Sequence, residues 1–432
     1  MKIGIKVLGC PKNEADCNVL EAILRHRGHE IVKDAKKADV IIIDTCAFIE
    51  DAKKEAIDEI LTFAQFKSKH NFFLCVKGCL VQRYADELAK EIPEVDAWYG
   101  ILPPSEVADA VENRVKFLVK DPITVYEESS RCEKGKTFAY IKIADGCDRA
   151  CTFCSIPAFK GAFKSRTLES IEKEAAELIE QGVKELILVA QDTTAYGVDL
   201  YGKPSLPTLL ERLNKLEKDF TIRVMYLHPD HLTDEIIEAM LGLEKVLPYL
   251  DIPVQHGSDK ILKRMGRTKT AEQLLELIEK IRKINPDSAI RTSIIVGFPG
   301  ETDEDFEQLL NFLQEAKFDR LGCFIYSEEE GTVASQFPEK VPHEVASQRQ
   351  EEVMLLQSEI SEERLKRFLN KKLRILVESS NKNYYIGRSH LDAPEIDGVV
   401  LVEKTKRIKP KDFYTVLITS TTEYDLKGVL VE

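Results

Sequence analysis

Ala144-Asp145-Gly146-Cys147-Asp148-Arg149-Ala150-Cys151-Thr152-Phe153-Cys154-Ser155-Ile156-Pro157 places three thiols within eight residues, in the spacing CxxxCxxC. A tight loop with those steps can wrap a small iron–sulfur cube, because thiolates are soft ligands that suit such clusters. Three ligands leave the fourth iron of a [4Fe–4S] cube open, and an open coordination position suggests chemistry there. Two plainer readings compete: a structural zinc loop, or small buried side chains of no special role. Structural zinc normally takes four ligands and favours CxxC pairs, so this spacing fits it poorly.

Outward from the loop, residues 136–368 repeat a strand–helix unit. Candidate strands lie at 140–143, 185–190, 222–227, 249–254, 290–296 and 321–326, with amphipathic helices such as 168–181, 270–284 and 303–316 between them. Six such units predict a curved parallel sheet, a partial (β/α)6 barrel whose site lies at the C-terminal edge of its strands. The thiol loop follows the first strand. Gln191 and Asp192 follow the second, His228 the third, Gln255 and His256 the fourth, Gly297-Phe298-Pro299-Gly300-Glu301-Thr302 the fifth, and Tyr326-Ser327 the sixth. One polar strand end is usually a cap or turn, and His228 or His256 alone can be a satisfied core histidine. Five at one rim are what a substrate cavity requires. Gly297 and Gly300 permit close backbone approach to a ligand.

Residues 1–118 also alternate strand and helix, with strands at 3–8, 39–44, 71–76 and 95–99 and helices at 13–27, 50–67, 81–90 and 104–117. The pattern predicts a small open parallel α/β domain. Cys10, Cys46 and Cys79 follow its first three strands. Loops after successive parallel strands gather at one edge, where α/β proteins bind ligands. Each cysteine also leads toward a helix, whose positive N-terminal end stabilises a thiolate. The three can converge on a second cluster or be ordinary buried cysteines, and spacing alone leaves both open. Cys17 and Cys75 read as core or supporting residues.

Residues 119–135, with Pro122, Glu127, Glu128, Ser129, Ser130 and Cys132, read as a linker, and nothing about Cys132 suggests a ligand. After a charged helix at about 345–368, the pattern switches to period two, and residues 369–432 predict a small antiparallel β-barrel of OB-like character. From Lys371 this tail carries eight lysines and three arginines against four aspartates and five glutamates, a net charge of +2. The whole chain of 432 residues carries a net charge of -13, with 44% hydrophobic and 31% charged residues, which is a globular composition. Its N-terminal residues lack the apolar core of a signal peptide, and no stretch reaches the length of a membrane span. A cytoplasmic protein is expected, with its ten cysteines as reduced thiols and metal ligands.

The CxxxCxxC loop resembles the signature of the radical S-adenosylmethionine enzymes. The order of thiol motifs around Cys10, Cys46 and Cys79 resembles the methylthiotransferase family within them, and the tail resembles a TRAM domain. The resemblance implies two [4Fe–4S] clusters, one on Cys147, Cys151 and Cys154 and an auxiliary one on Cys10, Cys46 and Cys79. It also implies S-adenosylmethionine as radical source and methyl donor, with Phe153, Gln191, Asp192, Gly297, Gly300 and Glu301 near that cofactor. No protein acid or base is implied. One family branch modifies the β-carbon of an aspartate in ribosomal protein S12; the other modifies a hypermodified adenosine beside the tRNA anticodon. Tyr226-Leu227-His228-Pro229, the stretch from Tyr249 to His256, and Tyr326-Ser327-Glu328-Glu329-Glu330 are similar to the first branch. S12 is therefore the expected partner, with tRNA as the alternative. A reducing electron donor such as flavodoxin or ferredoxin is implied, and the sulfur donor is left open. A basic ribosomal protein also suits an acidic chain.

Overall fold

The computed structural model describes residues 1–121, 131, 133 and 135–431. Most of the expected linker, including Pro122, Glu127, Glu128, Ser129, Ser130 and Cys132, lies outside the described residues.

The first sheet is parallel throughout, in the order β2-β1-β3-β4-β5-β6. Its strands are β1 (Lys2–Val7), β2 (Glu30–Ile31), β3 (Val40–Thr45), β4 (Phe73–Gly78), β5 (Ala97–Tyr99) and β6 (Phe117–Leu118). Helices α1 (Pro11–His26), α2 (Glu50–Lys67), α3 (Cys79–Glu91) and α4 (Pro104–Glu112) connect them. The apolar run of β3 alternates between two layers, as a strand covered on both faces must. Ile41 and Ile43 pack with Ala56 and Ile60 of α2, while Val40 and Ile42 pack with Leu20 and Leu24 of α1. The helix expected to reach residue 117 stops at Glu112, because Arg114 takes φ 53 and the next residues pair Phe117 with Trp98 as an edge strand.

The second sheet is also parallel, in the order β14-β13-β12-β11-β10-β7. It contains β7 (Phe138–Lys142), β10 (Glu185–Val189), β11 (Thr221–Val224), β12 (Val246–Asp251), β13 (Ala289–Val296) and β14 (Arg320–Ile325). A short hairpin of β8 (Ala144–Asp145) and β9 (Lys164–Ser165) follows β7 and holds α5 (Ile156–Lys160) within its loop. Each strand lies beside its predecessor in the chain, and β7 and β14 do not meet, so the barrel is partial. Leu186 and Leu188 point to the helical layer, whereas Ile187 and Val189 point inward. The strand expected at 222–227 ends at Val224, because Tyr226 adopts φ 63.

The tail closes a barrel in the order β15-β16-β17-β19-β18, from β15 (Lys372–Ser380), β16 (Tyr384–Arg388), β17 (Val400–Glu403), β18 (Asp412–Thr421) and β19 (Leu426–Leu430). The expectation of a wholly antiparallel barrel needs one correction: β17 and β19 run parallel. Five strands cannot alternate direction all the way round a closed ring, so one pair must agree.

This tail barrel closes the lower opening of the partial barrel. Its Ile375, Val377 and Val400 share a core with inward-facing Tyr140, Ile187, Val189 and Tyr249. Arg388 pairs with Glu185 at 2.7 Å, Arg320 with Asp392 at 2.6 Å, and the Tyr249 hydroxyl donates to Asp397 at 2.7 Å. Glu185 and Arg320 are the first residues of their strands, so the plug sits opposite the C-terminal edge. Among the described residues no helix is long and apolar enough to cross a membrane.

Candidate functional site

Register brings Cys10, Cys46 and Cys79 together. β1, β3 and β4 are neighbours, Val7 is paired with Asp44, and Thr45 with Gly78, so the three cysteines follow aligned strand ends. Gly78 makes the last step possible: it takes φ 106, and a Cβ there would lie 2.7 Å from the Thr45 carbonyl oxygen. The chain can then turn straight from β4 into α3 at Cys79. Cys10 is the N-cap of α1, and Cys46 lies just before α2. Burial pushes the Cys46 thiol up, and pushes Cys79 up to about 12; the charge of Cys10 acts on both in the same direction. These three thiols therefore share one electrostatic neighbourhood. Cys17 and Cys75 are buried in the surrounding core.

The CxxxCxxC loop is pinned from three sides. Gly146, at φ 78, admits the Ala162 carbonyl oxygen to 2.1 Å from where a Cβ would stand. The Thr152 amide donates to the Met265 carbonyl at 3.1 Å, and the Thr152 carbonyl accepts from the Ala334 amide at 2.9 Å. Burial raises Cys147, and raises Cys154 to about 12, with the neighbouring thiols adding to each shift. His228 Nε2 lies 4.0 Å from Cys151 Sγ and against Arg267. Burial, and then Arg267, bring His228 down to about 3, so it is neutral near pH 7.

Three bridges join the two sets of thiols. Arg83 of α3 donates to the carbonyl of Ala47, next to Cys46, at 2.7 Å, lies 3.4 Å from the hydroxyl of Ser155, next to Cys154, and pairs with buried Glu329 at 2.8 Å. Lys160 of α5 lies 3.6 Å from Asp145, and the charges of Cys79 and Cys10 also bear on it. Tyr226-Leu227-His228 spans the remaining gap, because the Tyr226 hydroxyl feels Cys10 while His228 approaches Cys151. Arg83 and Lys160 carry no local signal marking them as bridges. Tyr226, His228 and Glu329 stand in stretches that the sequence singles out.

The residues expected near S-adenosylmethionine divide into two groups. Gln191 donates to Asp145 at 2.5 Å and keeps a buried Oε1 with no hydrogen-bond partner among the described residues. Asp192 accepts from Arg149 at 2.7 Å, which ties it to the thiol loop. The Phe153 ring packs against the buried cluster of Ile261, Met265, Phe298 and Ala334. Gly297, Gly300 and Glu301 instead build a turn that faces protein. A Cβ on Gly297 would meet Ala346 at 2.5 Å, and one on Gly300 would meet Arg264 at 2.8 Å. The Glu301 carboxylate accepts from the Phe298 amide at 3.0 Å and from Arg349 at 2.9 Å. Beneath the turn, His256 is brought down to about 3 by burial, and its Nε2 has no hydrogen-bond partner among the described residues.

Comparison with known proteins follows the same three-part division. Residues 141–313 match the radical SAM superfamily, 2–100 the uncharacterized protein family UPF0004, and 371–431 the TRAM domain. The ribosomal protein uS12 methylthiotransferase RimO of Pseudothermotoga lettingae is 64% identical over 431 residues, covering the whole of both chains. The chain belongs to the ribosomal protein uS12 methylthiotransferase family. Other uS12 methylthiotransferases, from Thermotoga maritima and Petrotoga mobilis, are 58% and 48% identical, each over the full length of both chains. Among solved structures, the radical S-adenosylmethionine methyltransferase TsrM of Kitasatospora setae aligns with a TM-score of 0.56 at 13% identity, covering 77% of this chain and 73% of that one. That similarity is one of fold and extends the family's architecture beyond recognisable sequence.

Proposed function

We propose that this protein methylthiolates the β-carbon of an aspartate in ribosomal protein S12. The observation that carries the reading is the pairing of two three-thiol sets at the C-terminal edges of two parallel sheets, in a chain similar over its full length to uS12 methylthiotransferases. The donor sets fit iron–sulfur cubes. Each offers three soft sulfur ligands, the donor type that iron–sulfur clusters take. In this reading Cys147, Cys151 and Cys154 hold one [4Fe–4S] cluster, and Cys10, Cys46 and Cys79 hold the other. When bound, the clusters and S-adenosylmethionine supply a hydrogen-abstracting radical and a methylated sulfur for transfer.

The chain's own residues do the rest. Gln191, with its unpaired acceptor, and Phe153 lie where S-adenosylmethionine would meet the loop; Asp192 holds the loop through Arg149. Arg83 and Glu329 fix the distance between the two thiol sets, since a small displacement costs rate steeply when two centres must act on one carbon. Neutral His228, its Nδ1 accepting from the Asp230 amide at 3.3 Å, brings no positive charge beside Cys151. The protein works in the cytoplasm with a low-potential electron donor such as flavodoxin or ferredoxin. An acidic recess at Glu328 and Glu330, lined also by Ser335 and Gln336, suits a basic substrate protein.

Mass spectrometry of S12, and separately of tRNA bearing the hypermodified adenosine, tests this after incubation with the anaerobically reconstituted protein, reductant, sulfide and S-adenosylmethionine. A methylthio increment on an S12 aspartate is expected. An increment on the tRNA base alone would replace the substrate while leaving the two-cluster mechanism in place.

A further inference from the structure

Four lysines are buried, or nearly so, where the first sheet meets the second, and three are neutralised. Lys77 pairs with Asp44 at 2.5 Å, Lys142 with Asp16 at 2.5 Å and Asp145 at 2.9 Å, and Lys160 with Asp145 at 3.6 Å. Lys12 differs. It is only 9% exposed, yet among the described residues its ammonium has neither a carboxylate nor a hydrogen-bond acceptor. Its charge rests over the ring of Tyr226, 4.2 Å from the centroid. A π-face satisfies an ammonium only in part, so the position is one that an anion completes.

Two further features favour an anion there. Lys12 is the second residue of a sixteen-residue helix whose N-cap, Cys10, makes no side-chain capping bond. The first-turn amides and the positive end of the helix therefore attract the same kind of group. Tyr226, which holds Lys12, is itself fixed at φ 63 by its amide donating to Asp251 at 3.0 Å, and it begins the stretch that leads to His228 and Cys151.

We propose that Lys12, over the Tyr226 ring and at the start of α1, binds the side-chain carboxylate of the substrate aspartate and selects it over an amide. This rests on the S12 reading above. The carbon to be modified is one bond from that carboxylate, so a carboxylate held two residues from Cys10 places the carbon beside the sulfur-bearing thiol set. The competing role for a bare ammonium is to balance the charge of an iron–sulfur cluster on Cys10, and the two roles separate experimentally.

The test compares the unaltered full-length protein, K12M and K12R, each reconstituted anaerobically, on S12 and on S12 with its target aspartate changed to asparagine. The unaltered protein should modify the aspartate form in strong preference. In K12M the KM for S12 should rise roughly ten- to a hundredfold, the worth of one charge-assisted hydrogen bond, and the preference should collapse. Iron content and cluster absorbance should stay those of the unaltered protein, and K12R should keep the preference. Retention of the preference in K12M overturns the proposal, as does loss of iron in K12M with the preference intact, which would assign Lys12 to charge balance. Equal modification of both substrates by the unaltered protein overturns it as well. If the unaltered protein leaves S12 untouched, the functional reading fails and the subsite falls with it. If it modifies S12 and K12M behaves identically, the subsite alone fails.

Discussion

Cys147, Cys151 and Cys154 lie in one loop, whereas Cys10, Cys46 and Cys79 come from three loops spread between positions 10 and 79. In the first set the covalent chain sets the spacing, and neighbouring segments at Met265 and Ala334 only hold the loop in place. In the second set nothing local fixes the distances. They follow from the register of β1, β3 and β4 and from the turn at Gly78. A motif that is local in sequence survives perturbation of the sheet around it; one assembled by topology inherits every weakness of the fold.

The sharpest way to break the comparison is to remove one thiol from each set. C151A should reduce reductive cleavage of S-adenosylmethionine to background and abolish the product with it. C46A should leave cleavage running while the methylthio product disappears, with iron falling from about eight to about four per chain as one cube is lost. Cleavage assays, product mass and iron analysis read all three quantities. Methylthiolation by C46A would show that the dispersed set is only structural.

A smaller effect should come from the bridge. Glu329 is 2% exposed and receives both Arg83 at 2.8 Å and Lys53 at 3.1 Å. E329A removes the carboxylate that Arg83 pairs with, leaving it the Ala47 carbonyl, while Lys53 keeps Glu50 at 3.0 Å, so the cost falls at the low end of about 3–5 kcal/mol. Product formed per S-adenosylmethionine cleaved should fall, because the dispersed set shifts while the local loop stays intact. An unchanged ratio, with lowered thermal stability alone, would make the bridge a matter of stability rather than alignment.

The smallest effect belongs to the rim of the second sheet. Burial pushes the Asp305 carboxyl up, but hydrogen bonds from Lys260, Thr302 and Ser258 outweigh it and hold the group well below the ordinary carboxylate range. A carboxylate lowered in the folded state contributes stability above its unfolded pKa of about 4, and that contribution is lost as pH falls toward the folded value. D305N should therefore cost about 1–2 kcal/mol at pH 7, with the difference from the unaltered protein shrinking below about pH 4, where the unfolded chain's Asp305 takes up a proton while the folded one still resists it. Urea unfolding at the two pH values measures it.

The two sets also differ in how they could be read from sequence. CxxxCxxC states its own geometry, and hydrophobic periodicity was enough to put it after the first strand of a parallel sheet. For Cys10, Cys46 and Cys79, the rule that successive parallel strands end at one edge allows convergence without deciding it, and only the resemblance to methylthiotransferases implies the set. What could not be read were partners chosen by tertiary packing. Arg83 and Glu329 are 246 positions apart, and neither sits in a pattern that announces the other. Lys12 looked like any lysine at a helix start until its surroundings showed no counter-charge. Periodicity runs the strand from 222 on to 227 because tyrosine is a good strand former, and only the hydrogen bond of the Tyr226 amide to Asp251 shows why the chain turns there instead.

The closure of the lower opening by residues 372–430 has a consequence for how the protein is made. Domains emerging from a ribosome fold from the N-terminus onward, so both thiol sets are in place while the floor of the partial barrel is still missing. Tyr140, Ile187 and Tyr249 remain open to water until translation of the last strand ends. A truncated chain would carry every cysteine of both sets and still leave those side chains bare, which makes the final sixty or so residues a condition for a finished interior rather than a detachable accessory.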